Sequence, residues 1–304
     1  MQNINKIING KQYAENLLKE IFPLTNKYSE KFLRNPCLAV ILVGENSASQ
    51  IYVKNKILTA EKNNITSVEI KLPIDTSEEH LLNEIYKLNK DTNVDGILVQ
   101  LPLPPHISEK LIIQSINPSK DVDGFHPTNF GKLLMGDPNF VPCTPLGCFY
   151  MLKKELNELD GKNAVIIGRS NIVGKPMASL LLSSNCTVTI THSKTKNLKE
   201  HCSDADILIS AIGRPEMIDD TYIKPNAIII DVGINRLKLE NTKTNEKKYK
   251  LVGDINFESV INVSQKITPV PGGVGPMTIA CLLVNTLVAC CRKYKLIEPD
   301  IISN

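Results

Sequence analysis

The stretch Asn163-Ala-Val-Ile-Ile-Gly168-Arg-Ser-Asn-Ile-Val-Gly174-Lys-Pro176 runs from apolar, strand-forming residues into a turn bounded by two glycines, then into helix-compatible sequence. A strand that passes through glycines into a helix lets backbone approach a pyrophosphate closely. The helix N-terminus then offers free N–H groups to it. The match to G-x-G-x-x-G is incomplete, because Ser170 takes the middle glycine position and Gly174 falls one place late. A tight strand-to-helix turn would leave a similar trace, so context must decide. About 20 residues further on, an NAD site expects an acid to hold the ribose 2′-hydroxyl. This chain instead has Thr191-His192-Ser193-Lys194-Thr195-Lys196. Uncharged and cationic groups there, joined by Arg169, suit a 2′-phosphate and favour NADP over NAD.

Outward from this turn, Thr187–Thr191, Ala205–Ser210 and Ala227–Val232 read as further strands, with helix-length stretches between them. An earlier series has strands at Leu38–Val43, Val68–Leu72 and Asp95–Gln100. Helices are expected from Ser47 to Glu61 and from Ser77 to Leu88, with Ser77 as N-cap. Strands alternating with helices imply parallel sheets, hence an α/β fold of two domains, the second Rossmann-like. The expected division is 1–145 plus 276–304 for the first domain and 146–275 for the second. In that division the apolar helix Met277–Leu296 returns to the first domain. The polar insert Leu239–Lys250 reads as a surface hairpin or loop.

Composition narrows the function classes. The 304 residues are 42% hydrophobic and carry 35 Lys+Arg against 32 Asp+Glu, a net charge of +3. That balance gives no reason to expect a nucleic acid or an anionic membrane as partner. No stretch reads as an uninterrupted apolar membrane span, and the amino terminus lacks the apolar core of a secretory signal. Eight cysteines fall without metal-ligand spacing, so no metal is expected, and reduced thiols in the cytoplasm are the default.

Ser49, Tyr52 and Lys56 lie three and four residues apart, on one face of the expected helix. A Tyr–Lys pair can run proton chemistry when its surroundings tune the lysine, although a solvated lysine would show the same spacing. Tyr-x-x-x-Lys also marks short-chain dehydrogenases, but there it follows the nucleotide-binding glycines, whereas here it precedes them. Gln100 ends a buried strand, where α/β sheets place ligands. Asp121-Val-Asp123-Gly124 can be a turn, or a carboxylate that grips an amino-heterocycle.

Taken in order, six segments resemble one family. They are Ser49-Gln-Ile-Tyr-Val-Lys-Asn-Lys56, Asp95-Gly-Ile-Leu-Val-Gln-Leu-Pro-Leu-Pro104, Lys120-Asp-Val-Asp-Gly-Phe125, Pro142-Cys-Thr-Pro145, Gly168 to Pro176, and Pro271-Gly-Gly-Val-Gly-Pro-Met-Thr278. The chain is similar along nearly its whole length to the bifunctional methylenetetrahydrofolate dehydrogenase/cyclohydrolases. The resemblance implies a cleft between a folate-binding domain and an NADP domain, a homodimer through the NADP domain, and a place in one-carbon metabolism serving purine biosynthesis. It implies oxidation of 5,10-methylenetetrahydrofolate by NADP⁺ and hydrolysis of the methenyl product to 10-formyltetrahydrofolate. Carried onto matching positions, Lys56 is the principal catalytic residue and Gln100 its partner. Tyr52 would orient the folate, Asp123 would bind the pterin, and Ser49 would position Lys56. Gly272, Gly273 and Pro276 would border the substrate. Thr144, Gly168, Arg169, Ser170, Ile172, His192, Ser193 and Ile234 would surround the cofactor. Two other readings stand beside this one: a dehydrogenase that has lost the hydrolase step, and a non-catalytic nucleotide-binding sensor.

Overall fold

A computed structural model describes residues 4–238 and 249–299 of the chain. Its first helix, α1 (Gly10–Phe32), is an element the sequence reading does not contain. Ala14, Leu17, Ile21, Thr25 and Tyr28 are all buried and recur every three or four residues, which is one helical face. Pro23 lies inside the helix and obscures it, since proline ordinarily interrupts helical hydrogen bonding.

The expected first series follows as β1 (Cys37–Val43), α2 (Ser47–Lys62), β2 (Thr66–Leu72), α3 (Glu78–Lys90) and β3 (Gly96–Val99). Ser77 caps α3 as predicted, its hydroxyl accepting the His80 N–H at 3.1 Å. Two short helices, α4 (Glu109–Ser115) and α5 (Pro127–Leu134), come next. The sheet is parallel in the order β2-β1-β3. Every residue of the central strand β1 is buried, as expected for a strand covered on both faces.

The second series is α6 (Cys143–Glu155), β4 (Asn163–Ile167), α7 (Gly174–Ser183), β5 (Thr187–Thr191), α8 (Leu198–Cys202), β6 (Ile207–Ser210) and β7 (Ile228–Asp231). A hairpin of β8 (Asn235–Lys238) and β9 (Tyr249–Val252) precedes α9 (Phe257–Val263), β10 (Lys266–Ile267) and α10 (Val274–Lys293). Most of the insert expected as a hairpin or loop, residues 239–248, lies outside the described residues; the strands flanking it pair antiparallel. The main sheet is parallel, in the order β10-β7-β6-β4-β5. This is a Rossmann-like arrangement. The chain leaves β4 toward β5 and returns to the other side of β4 as β6, so the topological switch point lies between β4 and β6.

The chain divides into two compact units. The five-stranded unit comprises Met1–Ala14 and Thr144–Thr278; the three-stranded unit comprises Glu15–Cys143 and Ile279–Asn304. The first fourteen residues therefore group with the second series, unlike the division expected from sequence. The reason is backbone pairing: the Ile8 N–H donates to the Ile267 carbonyl at 2.9 Å, and the Lys11 N–H to the Gly272 carbonyl at 3.0 Å.

Among the described residues, α10 alone has the length and composition of a bilayer span, yet 78% of its most apolar window is buried within the chain. Thr278, Asn285 and Thr286 break its apolar run. It is a core helix. Among the described residues no disulfide forms, and all eight cysteines are buried.

Candidate active site

Helix α2 starts under Asn46, whose side-chain oxygen accepts the N–H groups of Ala48 and Ser49 at 3.0 and 3.1 Å. Its buried stripe is Ser49, Val53, Lys56 and Ala60. Lys56 thus belongs to the inward face, only 7% exposed, while Lys54 is exposed. A solvated surface lysine is excluded by this position. A buried ammonium requires partners, because taking the charge out of water is costly. Lys56 Nζ donates to Gln100 Oε1 at 3.0 Å. Gln100 stands one residue past β3, tied to β1 through its N–H and the Ile41 carbonyl at 2.9 Å. Its amide nitrogen donates to the Leu101 carbonyl at 2.7 Å, which fixes the amide so that its oxygen faces Lys56.

Asp121 and Asp123 divide their tasks. Asp121 is buried and accepts the N–H groups of Phe125 and His126 and the Asn129 amide, so it builds the turn. Asp123 lies in the field of Lys56. Burial raises its carboxyl above the usual range, while the Lys56 charge and the Cys143 thiol pull it back down. Cys143 sits against the Val122 carbonyl at 3.3 Å. Burial, with the Asp123 charge adding, pushes its thiol well above the ordinary value, so it remains protonated. Gly124 has φ +75°, and a Cβ there would stand 2.8 Å from the Pro142 nitrogen; only glycine lets these two segments stack. Tyr52, one turn before Lys56, is half-buried, and its hydroxyl makes no hydrogen bond to a described residue. Burial raises its phenol above the ordinary value. Ser49 shares the stripe but makes no hydrogen bond with Lys56.

In the five-stranded unit, the turn after β4 is closely packed. A Cβ on Gly168 would lie 2.4 Å from the Ala211 carbonyl oxygen, and one on Gly174 would lie 2.1 Å from that of Gly168. Ser170 departs from glycine for a visible reason. Its hydroxyl accepts the Val173 and Gly174 N–H groups at 3.1 and 3.4 Å, closing the turn onto α7. Ile167 pairs with Thr191, so Arg169 and Ser193, each two residues beyond its strand, leave the same sheet edge. Both are exposed, as is Ile172, and residues 192–196, directly after β5, contain no acid. His192 holds this loop: its N–H donates to Thr195 Oγ1 at 2.9 Å and its Nδ1 accepts the Lys194 N–H at 3.1 Å. These features suit a dinucleotide with a 2′-phosphate. Ile234, after β7, is 48% exposed.

Thr144, Gly272, Gly273 and Pro276 also fall in the five-stranded unit, so they do not group with Lys56, Gln100 and Asp123. The Thr144 and Thr278 hydroxyls are 3.0 Å apart. Sequence reasoning missed Asn285, Asp231 and Asp254. A lone amide in the apolar run of α10, and the paired motifs Asp231-Val-Gly233 and Gly253-Asp254, were the available signals.

The fold and these residues define a class: an α/β protein with a dinucleotide-type sheet in one unit and a buried Lys–Gln pair beside a carboxylate in the other. The family description "Tetrahydrofolate dehydrogenase/cyclohydrolase, catalytic domain" matches residues 8–123, and its "NAD(P)-binding domain" counterpart matches residues 142–294. The chain is 53% identical to "Bifunctional protein FolD 2" of Roseobacter denitrificans over 293 residues, covering 96% of this chain and 97% of that protein. A solved structure of the bifunctional FolD enzyme from Campylobacter jejuni is 47% identical with a TM-score of 0.87, covering 94% of this chain and 99% of that one. The Trypanosoma brucei dehydrogenase-cyclohydrolase, solved with NADP and an inhibitor, is 35% identical with a TM-score of 0.90, covering 95% and 98%. The chain belongs to the tetrahydrofolate dehydrogenase/cyclohydrolase family.

Proposed function

We infer that this chain oxidises 5,10-methylenetetrahydrofolate to 5,10-methenyltetrahydrofolate with NADP⁺ and hydrolyses that product to 10-formyltetrahydrofolate. Family membership supports the pair of activities. The observation that carries the reading to named residues is the buried Lys56 ammonium, held by an oriented Gln100 amide in the field of Asp123.

The three-stranded unit takes the folate. Asp123 accepts hydrogen bonds from the amino-heterocycle end of the substrate, and Tyr52 orients the ring system. Ser49, on the same buried stripe of α2, helps position Lys56. The five-stranded unit takes NADP⁺ at the turn formed by Gly168, Arg169, Ser170 and Ile172, with His192, Ser193, Thr144 and Ile234 completing the site and Gly272, Gly273 and Pro276 bordering the substrate. When bound, NADP⁺ supplies the hydride acceptor. Arg169 and Ser193 hold the 2′-phosphate. For the oxidation, the chain contributes orientation and exclusion of water.

The hydrolysis needs proton traffic. Water adds to the methenyl carbon and ultimately loses two protons from its oxygen. One proton reaches the ring nitrogen as the carbon–nitrogen bond breaks, and the other goes to solvent. Lys56 gives its proton to that nitrogen and regains one from the oxygen, while Gln100 keeps Nζ in place between exchanges. This division of labour makes Lys56 essential to hydrolysis and leaves the dinucleotide site untouched.

The reading includes assembly as a homodimer, which the family resemblance implies, and a place in the cytoplasm. The edge strand β5 is largely open, and Leu182 and Ile190 are exposed around it. The intact Lys56–Gln100–Asp123 set speaks against a dehydrogenase lacking the second step and against a non-catalytic sensor. Lys56→Met should abolish hydrolysis of the methenyl compound while NADP⁺ binding stays within about twofold, because removing a proton-transfer group costs ~10²–10⁴-fold in rate. Hydrolysis at the wild-type rate would remove Lys56 from the mechanism.

A further inference from the structure

At the switch point two turns meet in backbone contact. One is the Gly168 turn after β4; the other is the turn after β6, beginning at Ala211, whose carbonyl oxygen would lie 2.4 Å from a Cβ on Gly168. The second turn is built around a carboxylate. Asp254 is fully buried, and its Oδ2 accepts the N–H groups of Ile212 and Gly213 at 2.8 and 3.2 Å and the Ser210 hydroxyl at 3.3 Å. Its Oδ1 accepts the Arg214 N–H and the Asn235 amide, both at 2.9 Å. Three successive backbone N–H groups therefore converge on one side chain, forming a nest around an anion that the chain itself supplies. The far side of the turn is open: Gly213 has φ +64°, and a Cβ there would meet no atom within 4 Å.

A second carboxylate holds the first. Asp231, at the end of β7, accepts the backbone N–H groups of Gly233, Asp254 and Ile255, each at 3.0 Å. Glycines make this possible. A Cβ on Gly253 would lie 1.7 Å from Asp231 Oδ2, and one on Gly233 would lie 2.2 Å from Asp254 Oδ1. Ile234 stands between two residues fixed by the pair, since the Gly233 N–H goes to Asp231 and the Asn235 amide to Asp254. The two acids thus shape both the 212–214 turn and the exposed side chain of Ile234.

We propose that Asp254 is a positioning residue for NADP⁺ binding, holding the turn after β6 and the Ile234 segment in the shape the dinucleotide meets, with Asp231 as its support. This rests on the cofactor reading given above. A neutral side chain cannot replace Asp254, because an asparagine amide would direct a donor at N–H groups that need an acceptor.

The test is calorimetric titration of the full chain with NADP⁺, together with steady-state kinetics. Asp254→Asn should raise the NADP⁺ Kd about tenfold or more, since a buried hydrogen bond to a charged group that is lost costs more than that factor. KM for NADP⁺ should rise by the same factor, with kcat at saturating NADP⁺ falling less than about threefold; general loosening of the fold would lower kcat and Tm together. Asn235→Ala, which removes one of the five bonds, should raise Kd about two- to fivefold and decides the matter if Asp254→Asn does not fold. Wild-type Kd and KM in a folded Asp254→Asn protein, or an unchanged Kd in Asn235→Ala when the first variant is unfolded, would overturn the inference alone. Failure of the wild-type chain to bind NADP⁺ would overturn the cofactor reading and the inference with it.

Discussion

Carboxylates do three different things in this molecule, and their hydrogen-bond partners tell them apart. Asp121 is consumed by its own turn, Asp123 is left facing a buried lysine, and Asp231 accepts three backbone N–H groups deep in the five-stranded unit. Burial pushes Asp231 up to about 7, with the Asp254 charge adding and the three N–H groups opposing. An unfolded aspartate titrates near ~4, so between that pH and about 7 the folded chain holds the extra proton. This contribution to stability is fully present below the unfolded value and is lost as pH rises through about 7. Thermal unfolding should therefore show Tm falling from pH 5 to pH 8, and Asp231→Asn should flatten that slope whatever it does to the absolute Tm. An unchanged slope in the variant would show that Asp231 does not carry the effect.

At the level of elements, α10 does more than fill the core. Asn285, in the middle of its apolar run, donates to the Val122 carbonyl at 2.8 Å and to the Val141 carbonyl at 3.0 Å. Those carbonyls immediately precede Asp123 and the Pro142-Cys143 segment, so one amide fixes the two strips of chain that frame the carboxylate. Asn285→Leu leaves both carbonyls buried without that donor and should cost about 1–3 kcal/mol of stability, measured by urea unfolding. KM for the folate substrate should rise with it. The alternating strands and helices were readable from periodicity, as were the Ser77 cap and the helical face carrying Lys56. Helix α1 was hidden by Pro23 although its buried residues keep helical spacing. The Asp231–Asp254 arrangement was hidden because it joins residues far apart in sequence, each of which reads singly as an ordinary turn acid. Ser170 departs from the glycine motif for a reason that sequence does not display, since its hydroxyl closes the turn onto α7.

For the whole molecule, local pattern located both sheets but not the grouping of the first fourteen residues, which follows from pairing with Ile267 and Gly272 across most of the chain. Charge behaves similarly. A net charge of +3 is too small to suggest an anionic ligand, yet Arg169, Lys194 and Lys196 concentrate positive charge where β4 and β5 end. Both oxidation and hydrolysis are carried out by one chain, and that pairing is open to direct measurement. Its most direct test is to give the purified protein 5,10-methylenetetrahydrofolate and NADP⁺ and follow NADPH, methenyl absorbance and 10-formyltetrahydrofolate together. NADPH and 10-formyl product should rise in equal amounts, with little methenyl compound accumulating. Methenyl absorbance that rises in step with NADPH, with no 10-formyl product beyond the uncatalysed rate, would contradict it.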